Sequence, residues 1–194
     1  MAVESPSKKR ADQVCDTLSD QARALLTGAA TPRAYWERLV AKELYDDAIQ
    51  FMARWLTKPQ AVWWGCLCVW HCCGQQANAA EQAAWKAVVH WLQDPNEENR
   101  RLLEAVSAPL TLKNPIGAIA QAAFWSTGSM APEDVPEVLP PEDLCAQVVA
   151  ATLASLSQRL QQRAAVYPQL MQFAREVAGS ANSWKLPDAE RPPG

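Results

Sequence analysis

The chain has 194 residues, 49% of them apolar and 20% charged, with a formal net charge of −3. That length and composition suit one domain with a sizeable core. The mildly acidic balance argues against a nucleic-acid partner, which would ask for a basic face.

The first ten residues, MAVESPSKKR, carry the only dense basic cluster, Lys8-Lys9-Arg10, and no apolar run follows the charges. Residues 1–10 therefore read as a solvated, disordered arm without an export signal, and a cytoplasmic protein is expected. The longest apolar run, 61–70, is far shorter than the roughly 20 residues of a membrane span, so no membrane partner is expected. In that compartment the six cysteines stay reduced.

A capping residue followed by proline then recurs as Thr31-Pro32, Asp94-Pro95 and Asn114-Pro115, with Thr57-Lys58-Pro59 as a looser version. The side-chain oxygen satisfies an orphan N–H, and proline's fixed φ suits the first helical turn, so each pair predicts a helix start. Asp94 with Glu97 three residues later has the form of a capping box. Between these starts the apolar residues recur at helical spacing. Tyr35, Trp36, Leu39 and Val40 form one stripe, and Ala48, Phe51, Met52, Trp55 and Leu56 the next, on helices predicted at 32–43 and 45–56. The pair Asp46-Asp47 suits the positive end of the second of these.

The stretch AVWWGCLCVWHCC at 61–73 holds four cysteines and three tryptophans. On a helical wheel it is apolar nearly all round, which predicts a helix through the middle of the core. Cys68 and Cys72, one turn apart, could instead share a metal ion. Such a site would need two more ligands; His71 points away from both sulfurs on the helical wheel, which leaves His90 and Cys15 or Cys145 as distant candidates, and no C-x-x-C turn supports it. Packing is the better reading, and no cofactor is expected. Cys68→Ala should then cost about 1 kcal/mol and leave the fold intact.

Ala80, Ala84, Ala87, Val88 and Trp91 continue the pattern, with His90 at a core edge. Leu102, Leu103 and Val106 follow, then Ile116, Ile119, Ala120, Ala123 and Phe124. NEENRR at 96–101 sets Glu97, Glu98, Arg100 and Arg101 at helix-pair spacing on what reads as an exposed start. Gly28, Gly74 and Gly128 fall where helices should stop, at the left-handed position that glycine accepts. After Gly128, the small and polar residues of FWSTGSMAP at 124–132 can form a recognition loop. Glu97, Glu98, Arg100, Arg101, Ser126, Thr127 and Ser129 are therefore the candidate partner-binding residues. The acidic, proline-rich connector APEDVPEVLPPED leads into a helix expected from 142 to 163 and a last one from 168 to 178. Residues 181–194 read as a disordered tail.

No strand-type alternation occurs, so the fold is expected to be all-α, a single domain of eight or nine helices over 11–180. No phosphate-binding, nucleophile-elbow or zinc-helix motif occurs, so the sequence offers no catalytic constellation. The blocks LSDQARALL, TPRAYWERL, DAIQFMARWL, KPQAVWWGCLCVW, WLQDPNEENRR and NPIGAIAQAAFWSTGSMAP, in that order over 18–178, resemble an uncharacterised bacterial family of helical proteins, a domain of unknown function. That family is associated with gene clusters of type VI secretion, the contractile toxin-injection machinery. The resemblance implies a non-enzymatic adaptor or chaperone that engages an effector, spike or structural component. Two alternatives stand beside it: a small metal-binding or enzymatic protein using Cys68, Cys72 and a histidine, and an immunity protein that neutralises a basic toxin.

Overall fold

A computed structural model describes residues 10–26, 31–132, 134–159 and 163–179. The expected tail at 181–194, most of the expected arm and the expected stop at Gly28 lie outside the described residues. Among the described residues there are nine α-helices and no strand. They are α1 (Asp20–Ala24), α2 (Pro32–Ala41), α3 (Tyr45–Trp55), α4 (Lys58–Cys73), α5 (Ala79–Gln93), α6 (Glu97–Ser107), α7 (Pro115–Phe124), α8 (Leu144–Arg159) and α9 (Arg163–Gly179). Short 3-10 turns lie at Ala11–Gln13 and Gly74–Gln76.

Three of the four capped-proline signals start helices as expected. Thr31 accepts from Ala34 N, Thr57 from Gln60 N, and Asn114 from Ile116 N and Gly117 N. The fourth is displaced. Asp94 ends α5, and Asn96 caps α6 by accepting from Asn99 N at 2.8 Å. The Asp94 carboxylate instead accepts from Asn96 Nδ2 at 2.9 Å, so it supports the capping residue rather than capping. Asn78 with Glu81 forms a full capping box at the start of α5 that the proline pattern does not reveal.

The helix through the cysteine-tryptophan stretch is the centre of the fold. From Gln60 to Val69 every side of α4 is buried, because it packs against α3, α5, α7, α8 and α9. Trp64 is fully buried, and its Nε1–H donates to the Leu170 carbonyl of α9 at 2.9 Å. The two ends emerge, with Lys58 and Pro59 half-buried at the start and, in the last turn, His71 and Cys73 exposed and Cys72 half-buried. Elsewhere α8 packs on α3, α7 and α9, α6 packs on α5 and α7, and α2 packs on α3. One continuous apolar cluster runs from Ala11 to Val177.

Polar ties stitch the ends of the chain to this core. The Tyr35 hydroxyl donates to the Ala22 carbonyl at 2.8 Å, and Trp36 Nε1–H to the Ala48 carbonyl at 3.1 Å. Asp46 and Asp47 sit in the first turn of α3, as their charge suggests, and each also makes a distant contact. Asp47 accepts from Ser19 N and Oγ, and Asp46 from the Tyr167 hydroxyl on α9. Arg175 of α9 grips Glu37 of α2 through two nitrogens while lying 5.2 Å from the Trp36 ring centre.

Several expectations need correction. Gly74 is right-handed (φ −60°), so a left-handed stop is not its role. A Cβ there would lie 2.4 Å from the Trp70 indole, so close approach of the ring is what selects glycine. Pro168 does not begin α9 but lies inside it, because α9 starts earlier to bury Tyr167 alongside Leu170 and Met171. Helix α8 starts at Leu144 rather than Glu142, after the prolines. Ala80, His90 and Leu102 are exposed, while Ala84, Ala87, Val88 and Trp91 are buried as expected and Trp85 and Leu92 join them on the core face of α5.

Thr111, in the loop after α6, has φ +61°. A β-branched residue is costly in that left-handed region. Thr111→Gly should therefore raise stability by about 0.5–1 kcal/mol in urea titration, the gain being partly offset by glycine's chain entropy. A loss of stability would show that the Thr111 Oγ1 contact with Lys113 N outweighs the strain.

Candidate partner-binding site

Two of the sequence candidates, the NEENRR start and the loop after Phe124, form one unit. The cap at Asn96 puts Glu97 and Glu98 in the first turn of α6, where the helix dipole favours them. One turn on, Arg100 shares a face with Leu103 and Ser107, and this is the face α6 turns inward. Arg100 was expected on an exposed stripe, yet it is only 1% exposed.

Burial of a guanidinium requires that its donors be met. Arg100 Nε and Nη2 donate to the two Glu97 carboxylate oxygens, both at 2.6 Å. Its Nη1 donates to the Phe124 carbonyl at 2.9 Å and Nη2 to the Ser129 carbonyl at 3.1 Å. The Phe124 carbonyl closes the last turn of α7, an orphan acceptor at the negative end of that helix. The guanidinium also lies 4.7 Å from the Phe124 ring centre, within cation–π range. Gly128 has φ +66°, and a Cβ there would stand 2.9 Å from the guanidinium. At this glycine the left-handed expectation holds, and the buried arginine adds a second reason for it.

Arg101 joins the same carboxylate, donating from Nε to Glu97 Oε1 at 2.8 Å. The hydrogen bond from Arg100, then that from Arg101, hold the Glu97 carboxyl below its ordinary pKa. A depressed folded-state pKa stabilises above the unfolded value near 4.5, and that contribution is lost as pH falls through the folded value. In acid titration Glu97→Gln should therefore be the less stable protein at neutral pH, with the gap narrowing below about pH 4.5. A constant gap across that range would contradict the linkage. Glu97 is half exposed, so water screens the effect.

The loop is tied as well as gripped. Ser126 is buried, and its hydroxyl donates to the Ala123 carbonyl at 2.7 Å. Ser129 Oγ accepts from Ala131 N and from Val138 N of the acidic connector, while Met130 N donates to the Val138 carbonyl at 2.8 Å. The connector thus folds back onto the loop, although Val135, Val138 and Leu139 face outward. Thr127 and Glu98 are exposed.

In front of this unit lies a cleft of about 1150 Å³. It forms where the Ala11–Gln13 turn, the α3–α4 corner, the α5–α6 corner, the loop at Ser126 and Thr127, and the entry to α8 meet. Trp91, Leu56 and Ala61 supply apolar wall, all of them buried. Asp12, Asp16, Glu142 and Asp143 bring four carboxylates, against Arg54 and Lys58. Lys58 is engaged with Glu142 at 3.3 Å, and Arg54 turns back along α3 to the Gln50 carbonyl and side chain. The cleft therefore presents a surplus of negative charge beside an apolar wall, a surface suited to a cationic group with an apolar stem.

The alternative metal candidates are not gathered. Cys68 is buried, Cys72 half-buried and one turn on, and His71 and His90 are exposed. Among the described residues no group of three or more His, Cys, Asp or Glu side chains is placed to hold a metal. Burial pushes the Cys66 thiol far above its ordinary value and the Cys145 thiol up to about 12, which keeps both protonated and unreactive.

Residues 35–178 match a family of unknown function (DUF6931), and the chain belongs to that family. No curated protein and no solved structure matches the chain. None of the described helices is long and apolar enough to cross a membrane.

Proposed function

We propose that this protein is a non-enzymatic, cytoplasmic protein-interaction module, an adaptor or chaperone that receives a cationic segment of a partner protein in the acidic cleft. The observation that carries the reading is the surplus of carboxylates around a cleft with an apolar wall. Asp12 is already paired with Arg10, Glu142 with Lys58, and Asp143 accepts from the Gln147 side-chain amide through one oxygen, which leaves Asp16 and the second oxygen of the exposed Asp143 as the carboxylate groups most open to a partner. Ser126 and Thr127, singled out from the sequence, lie on the cleft wall. Glu97, Arg100 and Arg101 hold the loop that carries them, and Ser129 is the point of attachment.

The resemblance of the sequence blocks supports a partner from the type VI secretion machinery, an effector, spike or structural component. The same carboxylates favour a second reading, in which the cationic segment belongs to a basic toxin that this protein neutralises. The test is affinity capture with the full-length chain from the native host, with neighbouring gene products scored as candidates. Asp16→Lys combined with Asp143→Lys should abolish capture while leaving the helical circular dichroism unchanged, and added salt should weaken the wild-type complex. Undiminished capture by the folded double variant would overturn the cleft as the docking site. If the captured partner is a toxin, co-expression should rescue growth with the wild-type protein but not with the double variant.

A further inference from the structure

The dense basic cluster of the sequence, Lys8-Lys9-Arg10, stands immediately before the Ala11–Gln13 turn. That turn and the residues after it, Asp12 to Asp16, form one wall of the acidic cleft. Arg10, the last of the three cations, is already at the rim, where its Nε donates to the Asp12 carboxylate at 3.1 Å. Asp16 and the second Asp143 oxygen remain the carboxylate groups most open on the same cleft, and both residues are exposed. Two lysines of the chain thus adjoin two acidic groups of the cleft. Their reach is sufficient. Lys8 starts at most about 7 Å from the Arg10 Cα, and its four-carbon stem carries the ammonium about 6 Å further. A cleft of about 1150 Å³ is on the order of 13 Å across, the same span.

We infer that the arm at residues 1–9 is the resting occupant of the acidic cleft, with Lys8 and Lys9 set against Asp16 and Asp143. A partner's cationic segment then binds by displacing it. This inference rests on the cleft being the docking site for such a segment, and it adds the regulation of that site. Lysine has the chemistry that the cleft suits, an ammonium on an apolar stem. Exposed ion pairs are weak one at a time, but a short tether gives the arm an effective concentration in the millimolar range. The tether keeps the arm seated, while a longer cationic segment can still replace it.

Carbodiimide coupling joins a lysine to a carboxylate in direct contact, and mass spectrometry of the digested full-length chain maps the links. Lys58 with Glu142, 3.3 Å apart, is the internal standard. The expected result is a link from Lys8 or Lys9 to Asp143 in monomeric protein. The standard without that link would overturn the inference, as would links confined to Asp12 or Asp16, which proximity in sequence alone allows. Links to Asp143 only between chains, or only from Lys185, would overturn it too. A pentalysine peptide at low ionic strength gives the second readout. Lys8→Gln combined with Lys9→Gln should tighten its binding about fivefold, since the competing occupant is gone. Lys42→Gln with Lys86→Gln removes the same charge at exposed positions that do not line the cleft, and should leave binding near wild type. Equal tightening by both pairs would reduce the effect to net charge and contradict the inference. If Asp16→Lys with Asp143→Lys abolishes partner capture while the Lys8 and Lys9 variant behaves as wild type, the cleft stands as the docking site and the arm is not its occupant. Undiminished capture by the aspartate variant instead removes the cleft reading, and the regulation with it.

Discussion

Arg100→Glu should lower the unfolding free energy by about 4 kcal/mol or more, a loss large enough to threaten a domain whose whole stability is of order 5–15 kcal/mol. The guanidinium is 1% exposed and meets four acceptor contacts. Reversal leaves the Phe124 and Ser129 carbonyls without their donor and sets a second carboxylate against Glu97. Each orphaned buried acceptor costs about 1–3 kcal/mol. Arg101→Glu removes a more exposed contact with the same glutamate and should cost about 1 kcal/mol or less. Urea denaturation followed by circular dichroism separates the two. Equal effects of the two reversals would mean that Arg100 does not hold the loop after α7.

Trp64→Ala should cost about 4–5 kcal/mol, since it empties the largest volume on the central helix and removes a hydrogen bond to α9. Trp64→Phe retains most of the packing and should cost about 1–2 kcal/mol. The same denaturation experiment applies, and near-wild-type stability of Trp64→Ala would show that α4 is not the element around which the others pack. Cys68→Ala on the same helix should lose only the modest amount due to a small buried side chain.

Much of this fold is legible because local chemistry and burial point the same way. Thr31, Thr57 and Asn114 cap helices where a side-chain oxygen precedes a proline, and both signals act over one turn. The burial of α4 follows from its being apolar all round. Where the reading departs from the structure, a distant partner decides. Arg100 lies at helical spacing with Leu103 and Ser107, a usable hint, but its burial depends on carbonyls 24 and 29 residues further on. Pro168 resembles a helix start locally, yet the contacts of Tyr167 with Ser157 and Asp46 carry α9 past it. Asp94 loses the capping position to Asn96, a contest between neighbouring caps that spacing alone does not settle. Ser126 and Thr127 could be named from the sequence as loop residues. The cleft they line could not, because its carboxylates come from 12–16 and 142–143, and only the packing of α8 beside α3 and α4 brings those segments together.

The most direct measurement of docking at the cleft is amide hydrogen exchange on the full-length protein, alone and in complex with the captured partner. Slowed exchange at 12–16, 126–127 and 142–146 on binding, with little change at 102–112, is the expected result. Unchanged exchange in those cleft segments, with protection gathered instead around the exposed Leu102 and Leu112, would contradict it.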